Sequence, residues 1–465
     1  MPDTNAASSL DTVPLAPDRD SPRPAYLQAN LTSLAPYLFL EMMRNVTSDG
    51  YVVEDPVDRS QFSKPGCVLA APSYPSNTPG VDQDYVFNWV RDAAITAIEI
   101  AAARLPATPG GGVGALIDYV TFARLCQQNA TPTPAHAVFT VAGWSRPWSE
   151  QSDGPAIQTT ALLQLYQQLD TATQPIAIQA INHNLDYLSG AYQNATTNLW
   201  EEHQGLSFFT RAVQLRCFQD VAANTIGITV PSWIAEAITG LQNALHDHWN
   251  GSCYVSILAP GAGPGVSAVA AEQGYDPNID IVCAAVYGAA SCTDTRLLAT
   301  AGQLRRQWSD AEASTVFQIN LDDQKRGIGP MMGRYPGDTY DGDTSDAIRG
   351  GHPWALCTAN FAELYYRLAN AIEAGQPVPL DELSEDFFAQ IGISAGAAPA
   401  TVSTALRAAG DQMLRAVVFH SDRYELSEQY DARTGYEKSV TNLTWSYAAF
   451  LSAVRARGPI GPGVR

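Results

Sequence analysis

From about residue 25 to residue 456 the chain repeats one theme, and that repetition limits the folds open to it. Stretches of helical periodicity, about fifteen to twenty residues each, alternate with loops rich in Gly, Pro, Asp and Trp. The spacing predicts helices over 26–45, 85–104, 113–129, 155–170, 175–190, 206–222, 231–247, 294–308, 353–373, 400–418 and 442–455. Runs of alternating Val, Ile and Thr are few, so a dominant sheet is not expected. Some helices are small or apolar nearly all round, as in Ala156-Ile157-Gln158-Thr159-Thr160-Ala161-Leu162-Leu163; others carry a polar face, as from Gln303 to Asp310. A helix apolar on every side needs cover on every side, and a one-sided helix supplies it. The alternation predicts an all-α toroid, an inner ring of helices wrapped by an outer ring. Asp153 before Gly154-Pro155, and Pro353 before Trp354, read as helix starts. No linker divides the region, so 25–456 is expected to be one domain between a polar extension (1–24) and a short Gly/Pro tail (457–465).

Composition narrows the partners. Apolar residues make up 46% of the chain, ample for a large core. No run of about eighteen apolar residues occurs, so no membrane span is expected. A formal charge of −20 argues against nucleic acid and anionic membranes, and a neutral ligand is compatible with it. The seven cysteines lack the spacing of a zinc or redox site, and their odd number leaves at least one unpaired. Cys217 and Cys357 sit in apolar helical patterns and are expected to be buried thiols; any disulfide pairing stays open. Met1 to Pro24 shows no basic start followed by an apolar run, so no secretory signal is legible. Asn30, Asn45, Asn129, Asn194, Asn250 and Asn442 fit a glycosylation pattern that chance often produces. The compartment is open: secreted or periplasmic if a leader has been removed, otherwise cytoplasmic.

Two acidic clusters carry the chemistry. One is Asn198-Leu199-Trp200-Glu201-Glu202, running into Gly205-Leu206-Ser207-Phe208-Phe209-Thr210; the other is Ser427-Glu428-Gln429-Tyr430, ahead of Leu443-Thr444-Trp445-Ser446-Tyr447. A carboxyl held against indole and away from water keeps its proton to higher pH, which suits a general acid, while one nearer solvent stays ionised to activate water. Glycoside hydrolysis needs such a pair. Taken alone, Glu201-Glu202 reads as an acidic helix start favoured by the dipole. The other loops change that reading: Asp84 to Asp92, Trp144-Ser145-Arg146-Pro147-Trp148 with Gln151 to Pro155, Gly333 to Tyr340, and Gly351-His352-Pro353-Trp354. Aromatic rings beside Arg, Asp and Glu match a sugar's apolar faces and fixed hydroxyls.

These segments resemble the glucoamylase family, inverting exo-acting α-glucoside hydrolases of glycoside hydrolase family 15. The likeness runs from about Gly66 to Ala449 and rests on Trp89-x-Arg91-Asp92, Leu199-Trp200-Glu201-Glu202 with Ser207 to Thr210, Gly333-Arg334-Tyr335-Pro336 with Asp338 and Tyr340, Pro353-Trp354 with Leu356-Cys357-Thr358, and Glu428-Gln429-Tyr430 with Leu443 to Ala449. The resemblance implies an (α/α)6 barrel with its pocket at one end, in loops leading to the inner helices. It implies Glu201 as general acid and Glu428 as general base, with the carboxyls roughly 6.5–9.5 Å apart. Arg91, Asp92 and Arg334 would hold the terminal glucose, and Glu202 would bind hydroxyls near the cleaved bond. Tyr85, Trp89, Tyr340, Trp354 and Trp445 would form aromatic walls, Trp144 or Trp148 would flank the acid, and Trp200 and Asp338 would be further substrate-binding residues. No cofactor or metal is implied; the substrate is a neutral oligosaccharide, and a monomer is expected.

Departures from the family pattern cluster where a second sugar would sit. Asn198 replaces Asp, Ser145 replaces Gly, Trp148 to Glu150 are inserted before Gln151, His352 replaces Asn, and Thr441-Asn442 replace Arg-Asp. The loop from Asp341 to Arg349, with Asp343 and Asp346, is longer; without a bidentate Glu at the right offset it reads as a solvated loop rather than a calcium site. An α-1,4 preference is expected, with α-1,6 or α,α-1,1 bonds as alternatives on the same site. A barrel that binds sugar without turnover is the alternative from another class.

Overall fold

The computed structural model describes residues 23–72, 84–104, 112–342 and 351–458. The extension before residue 23, the end of the tail, Asp343 and Asp346 lie outside the described residues. Fourteen helices occur among those described: α1 (Arg23–Met43), α2 (Val90–Ala103), α3 (Gly112–Asn129), α4 (Asp153–Leu165), α5 (Gln174–Ala191), α6 (Phe208–Ala223), α7 (Ile234–His246), α8 (Asp280–Tyr287), α9 (Thr295–Ser309), α10 (Gln318–Arg326), α11 (Ala355–Glu373), α12 (Glu385–Ala389), α13 (Pro399–His420) and α14 (Thr444–Ala456).

Burial sorts them into two rings. Twelve of the thirteen residues of α4 are buried, as a helix apolar on all sides requires. In α7 only Ile234, Ala237, Leu241 and Leu245 are buried, one stripe at helical spacing. The buried helices close a ring in which α2 packs on α4, α4 on α6, α6 on α8, α8 on α11, α11 on α14, and α14 on α2. Around it α3 lies against α2, α5 against α4, α7 against α6, α9 against α8, α13 against α11 and α1 against α14. Six inner and six outer helices thus alternate along the chain, the (α/α)6 barrel expected; α10 and α12 are additions beside α9. One hydrophobic core runs through both rings. All seven cysteines are free, with Cys217 and Cys357 fully buried. Among the described residues no helix is long and apolar enough to cross a membrane.

Short antiparallel strand pairs stand just ahead of the inner helices: β1 (Asn88–Trp89) with β2 (Val138–Phe139), then β3 (Thr196–Thr197), β4 (Gln204–Ser207) and β5 (Ile257–Leu258) in one sheet, and β6 (Gln429–Tyr430) with β7 (Glu437–Lys438). Two expected helix starts are corrected. Asp153 is the first helical residue rather than a cap, and its carboxylate pairs with Arg91 at 3.0 Å. Pro353 precedes α11, whose N-cap Trp354 is extended and bridges to Gln429.

Candidate active site

The segments entering the inner helices touch one another, so those helices point their N-termini at one end of the barrel. Arg91, in the first turn of α2, donates to Gln151 (2.6 Å) and Asp153 (3.0 Å) at the start of α4. Trp200, ahead of α6, donates its indole N–H to Asn278, just before α8 (2.9 Å), and packs on Trp354 before α11 (5.8 Å between rings). Trp445, in the first turn of α14, lies under the Arg91 guanidinium at 5.1 Å and closes the circle.

Glu201 sits at the tip of the β3–β4 hairpin. Asn198 shapes that tip: its carbonyl accepts from the Glu201 N–H (3.0 Å) and its side-chain oxygen from the N–H groups of Glu202 and His203 (3.0 Å each). The Asn198 amide donates to the Tyr275 hydroxyl, so the residue that replaces a family Asp is a buried turn-former. Glu201 itself holds the left-handed φ of 65°. Its Oε1 accepts from Trp89 Nε1 (2.9 Å) and Gln151 Nε2 (2.7 Å), with Arg91 3.8 Å away; its Oε2 accepts from Trp148 Nε1 (2.8 Å). Of the two tryptophans expected at the acid, Trp148 makes the contact. Trp144 is 56% exposed, and its main chain closes a turn with Thr140.

Glu428 lies deeper. Tyr85 donates to it (2.9 and 3.1 Å), Tyr340 donates (3.3 Å), and so does Ser439. Burial pushes its carboxyl above the usual range, opposed by those hydroxyls and by Arg334. This reverses one expectation. The carboxyl intended as base is the buried one, 5% exposed, whereas the Glu201 side chain is 22% exposed. The indoles around Glu201 present N–H groups rather than apolar faces. Tyr85 and Trp89, 6.3 Å apart, form the shared wall that brings the two carboxylates into one site.

Arg334 is held in plane by Asp338, Nε to Oδ2 at 2.8 Å and Nη2 to Oδ1 at 2.6 Å, and reaches Glu202 at 2.9 Å. Its guanidinium stands 5.4, 5.3, 5.1 and 5.1 Å from the ring centres of Trp200, Tyr335, Tyr340 and Trp354, an aromatic collar around a fixed cation. Tyr335 adds a 2.9 Å bond to Glu202, whose carboxyl burial pushes up against the pull of Arg334. Asp92 is raised to about 6, chiefly by burial. Arg91 Nε and Asp92 Oδ2 face each other in a buried ion pair at 3.5 Å, and Trp354 Nε1 is buried without a hydrogen-bond partner. An unpaired buried N–H is costly, so the Trp354 indole offers a donor to a ligand with hydroxyl groups. Every sequence-selected residue except Trp144 therefore takes part in one connected constellation. Sequence reasoning gave no place in the site to Ser439, Gln151 or Tyr335, and read Asp153 only as a helix start. Gln151 and Asp153 carried the signal of adjacency to the Trp-Arg-Pro segment, whereas Ser439 carried none.

A family model described as "Glycosyl hydrolases family 15" matches residues 42–107 and 134–455, a span containing all of these side chains. The chain is similar to the probable glucoamylase of Schizosaccharomyces pombe, 26% identical over 449 residues, covering 90% of this chain and 89% of that one. It is 28% identical over 409 residues to glucoamylase 1 of Rhizopus oryzae, covering 80% of this chain and 65% of that one. Its fold superposes on the glucoamylase from Saccharomycopsis fibuligera with a TM-score of 0.74 at 20% identity, over 96% of this chain and 97% of that one. The protein belongs to the glycosyl hydrolases of family 15.

Proposed function

We propose that the protein is an exo-acting, inverting glucoamylase that releases β-D-glucose from the non-reducing ends of α-1,4-linked maltooligosaccharides and dextrins, with residues 25–456 as one catalytic domain acting as a monomer. The relatives named above are glucoamylases, and the observation that carries the reading is the pair of carboxylates: Glu201 on a partly exposed hairpin tip, Glu428 beneath three hydroxyls. In this reading Glu201 gives its proton to the glycosidic oxygen as the C1–O bond breaks. Glu428 takes a proton from the water whose oxygen attacks C1 from the other face. One water is consumed, and glucose leaves with inverted configuration. The hydroxyls of Tyr85, Tyr340 and Ser439 aim the base and favour its ionised form. Arg91, Asp92, Arg334 and Trp354 direct unpaired or charged groups at the terminal sugar, while Trp148 and Glu202 stand where the departing sugar lies. No cofactor enters these steps.

The test is a proton NMR time course on maltotriose. β-Glucose as the first anomer supports the reading; α-glucose first refutes inversion. Absence of release on maltotriose, with release from isomaltose or trehalose, would move the preference to α-1,6 or α,α-1,1 bonds.

A further inference from the structure

Two of the three hydroxyls on Glu428 come from residues adjacent in sequence to a buried ion pair. Tyr340 precedes Asp341, and Ser439 follows Lys438. Asp341 Oδ2 is shared by Lys438 Nζ (3.1 Å) and His352 Nε2 (3.3 Å), with the Asp341 side chain 1% exposed. His352 Nδ1 accepts the N–H of Ala432 at 3.3 Å, so the ring proton sits on Nε2 and faces Asp341. The cluster therefore joins three pieces of chain: the segment that carries Arg334 and Tyr340, the approach to α11, and the β6–β7 hairpin that carries Glu428. Gln429 repeats the link, accepting from the Gly342 N–H (3.1 Å) and donating to the Tyr340 carbonyl (3.2 Å). Ser439 holds a left-handed φ of 61°, and a Cβ on Gly342 would come within 1.9 Å of its hydroxyl. The packing leaves Ser439 one place to be.

We propose that Asp341, His352 and Lys438 are positioning residues for the base: their shared contact fixes Tyr340 and Ser439 against each other, and so sets the hydroxyl cradle around Glu428. The inference rests on the reading of Glu428 as base. A buried ion pair is weak ground for stability, because desolvation opposes the attraction, and its best-attested use is to fix one arrangement. The groups facing Glu428 are Tyr85 from the approach to α2, Tyr340 and Arg334 from one segment, and Ser439 after β7. Hydroxyl bonds to a carboxylate favour its charged form, and their loss leaves burial unopposed.

The experiment is kcat/KM on maltotriose against pH for Asp341→Asn, Lys438→Met, Lys438→Arg, His352→Asn and Ser439→Ala. Asp341→Asn and Lys438→Met are expected to move the acidic limb upward by about 0.5–1 pH unit, in the direction of Ser439→Ala, with about a tenfold loss on that limb per unit moved. Lys438→Arg should keep the wild-type limb. A merely structural joint would lower the melting temperature and leave the limb in place, and that result overturns the proposal. Should Asp341→Asn not fold, Lys438→Met and His352→Asn read the same contact. Glu428→Gln separates the two claims. If it is inactive while the Asp341→Asn limb stays unmoved, the triad alone fails; if it retains turnover, the base assignment fails first.

Discussion

At the scale of the residue, the two carboxylates are held by different physics. A non-glycine residue in the left-handed region costs roughly 1–2 kcal/mol, and Glu201 accepts that strain because Trp89, Gln151 and Trp148 fix its carboxylate where the hairpin tip puts it. Glu201→Gln and Glu428→Gln are each expected to cut kcat by at least about a hundredfold, the scale of acid–base catalysis, with the melting transition intact. Near-normal turnover in either removes its role. Trp148→Phe keeps a ring but deletes the N–H on Oε2, so it should lower kcat by about tenfold for one lost hydrogen bond; Trp144→Phe should change kcat less than twofold by the same reasoning. Equal losses would show that the contact at Trp148 carries nothing special. Burial raises Glu428, and a base works ionised. As pH falls, kcat/KM should therefore decline at a higher pH than an ordinary Glu would give, a shift read directly from the acidic limb. The acids, Arg91 and Arg334 were legible because each stands in a dense local run of aromatic and charged residues. Ser439 was not, because its role depends on a turn conformation and on Gly342 from another segment, and spacing encodes neither.

At the scale of the element, the sequence misplaces helix starts where the chemistry lies. Periodicity begins helices at 85, 206, 353 and 442, yet they begin at Val90, Phe208, Ala355 and Thr444. In each gap the residue just before the helix is extended, and the main chain is spent elsewhere. Asn88 pairs with Phe139, Ser207 with Ile257, Trp354 bridges Gln429, and Leu443 bonds Leu426. Aromatic residues at helical spacing imitate the helix that follows, while their real task is to line the pocket. The fourth inner helix, α8, escaped because a run of only eight residues, buried on nearly all sides, shows no period to detect. The β4 strand supplies the element-level prediction. A Cβ at Gly205 would lie 2.3 Å from Ile257 Cγ2 and 2.8 Å from the Leu258 carbonyl, so β5 must shift to admit it. Gly205→Ala is expected to cost about 1–3 kcal/mol by overpacking, measured by denaturant unfolding, and to lower kcat because the same hairpin holds Glu201. Unchanged stability and activity would mean the hairpin is not the support for the acid.

Across the whole molecule, the barrel concentrates negative charge in places that resist it. Six helix N-termini at one end offer partial positive charge to the site carboxylates, but the barrel also holds acids that are wholly or partly buried. Burial is the leading cause that lifts Asp92 and Asp276 to about 6 and Glu99, Asp280 and Glu437 to about 7, although Arg455 pulls Glu99 back down. An unfolded chain would release these protons near pH 4. Between that pH and the folded values the native state binds more protons than the unfolded one, so stability falls as pH rises through the window. The net charge of −20 at pH 7 adds self-repulsion of the same sign. The protein is therefore expected to be most stable at mildly acidic pH, with a melting temperature at pH 5 several degrees above that at pH 7.5. Calorimetry at matched ionic strength checks it. Buried His248, pushed down to about 3, gives the opposite slope up to the free imidazole value, so a melting temperature that rises from pH 5 to 7.5 would show that the buried histidine outweighs the buried carboxyls in this barrel. The predicted slope places the greatest stability on the acidic side of neutral, where a glycosidic oxygen can still be protonated, so fold and site would share one window of pH.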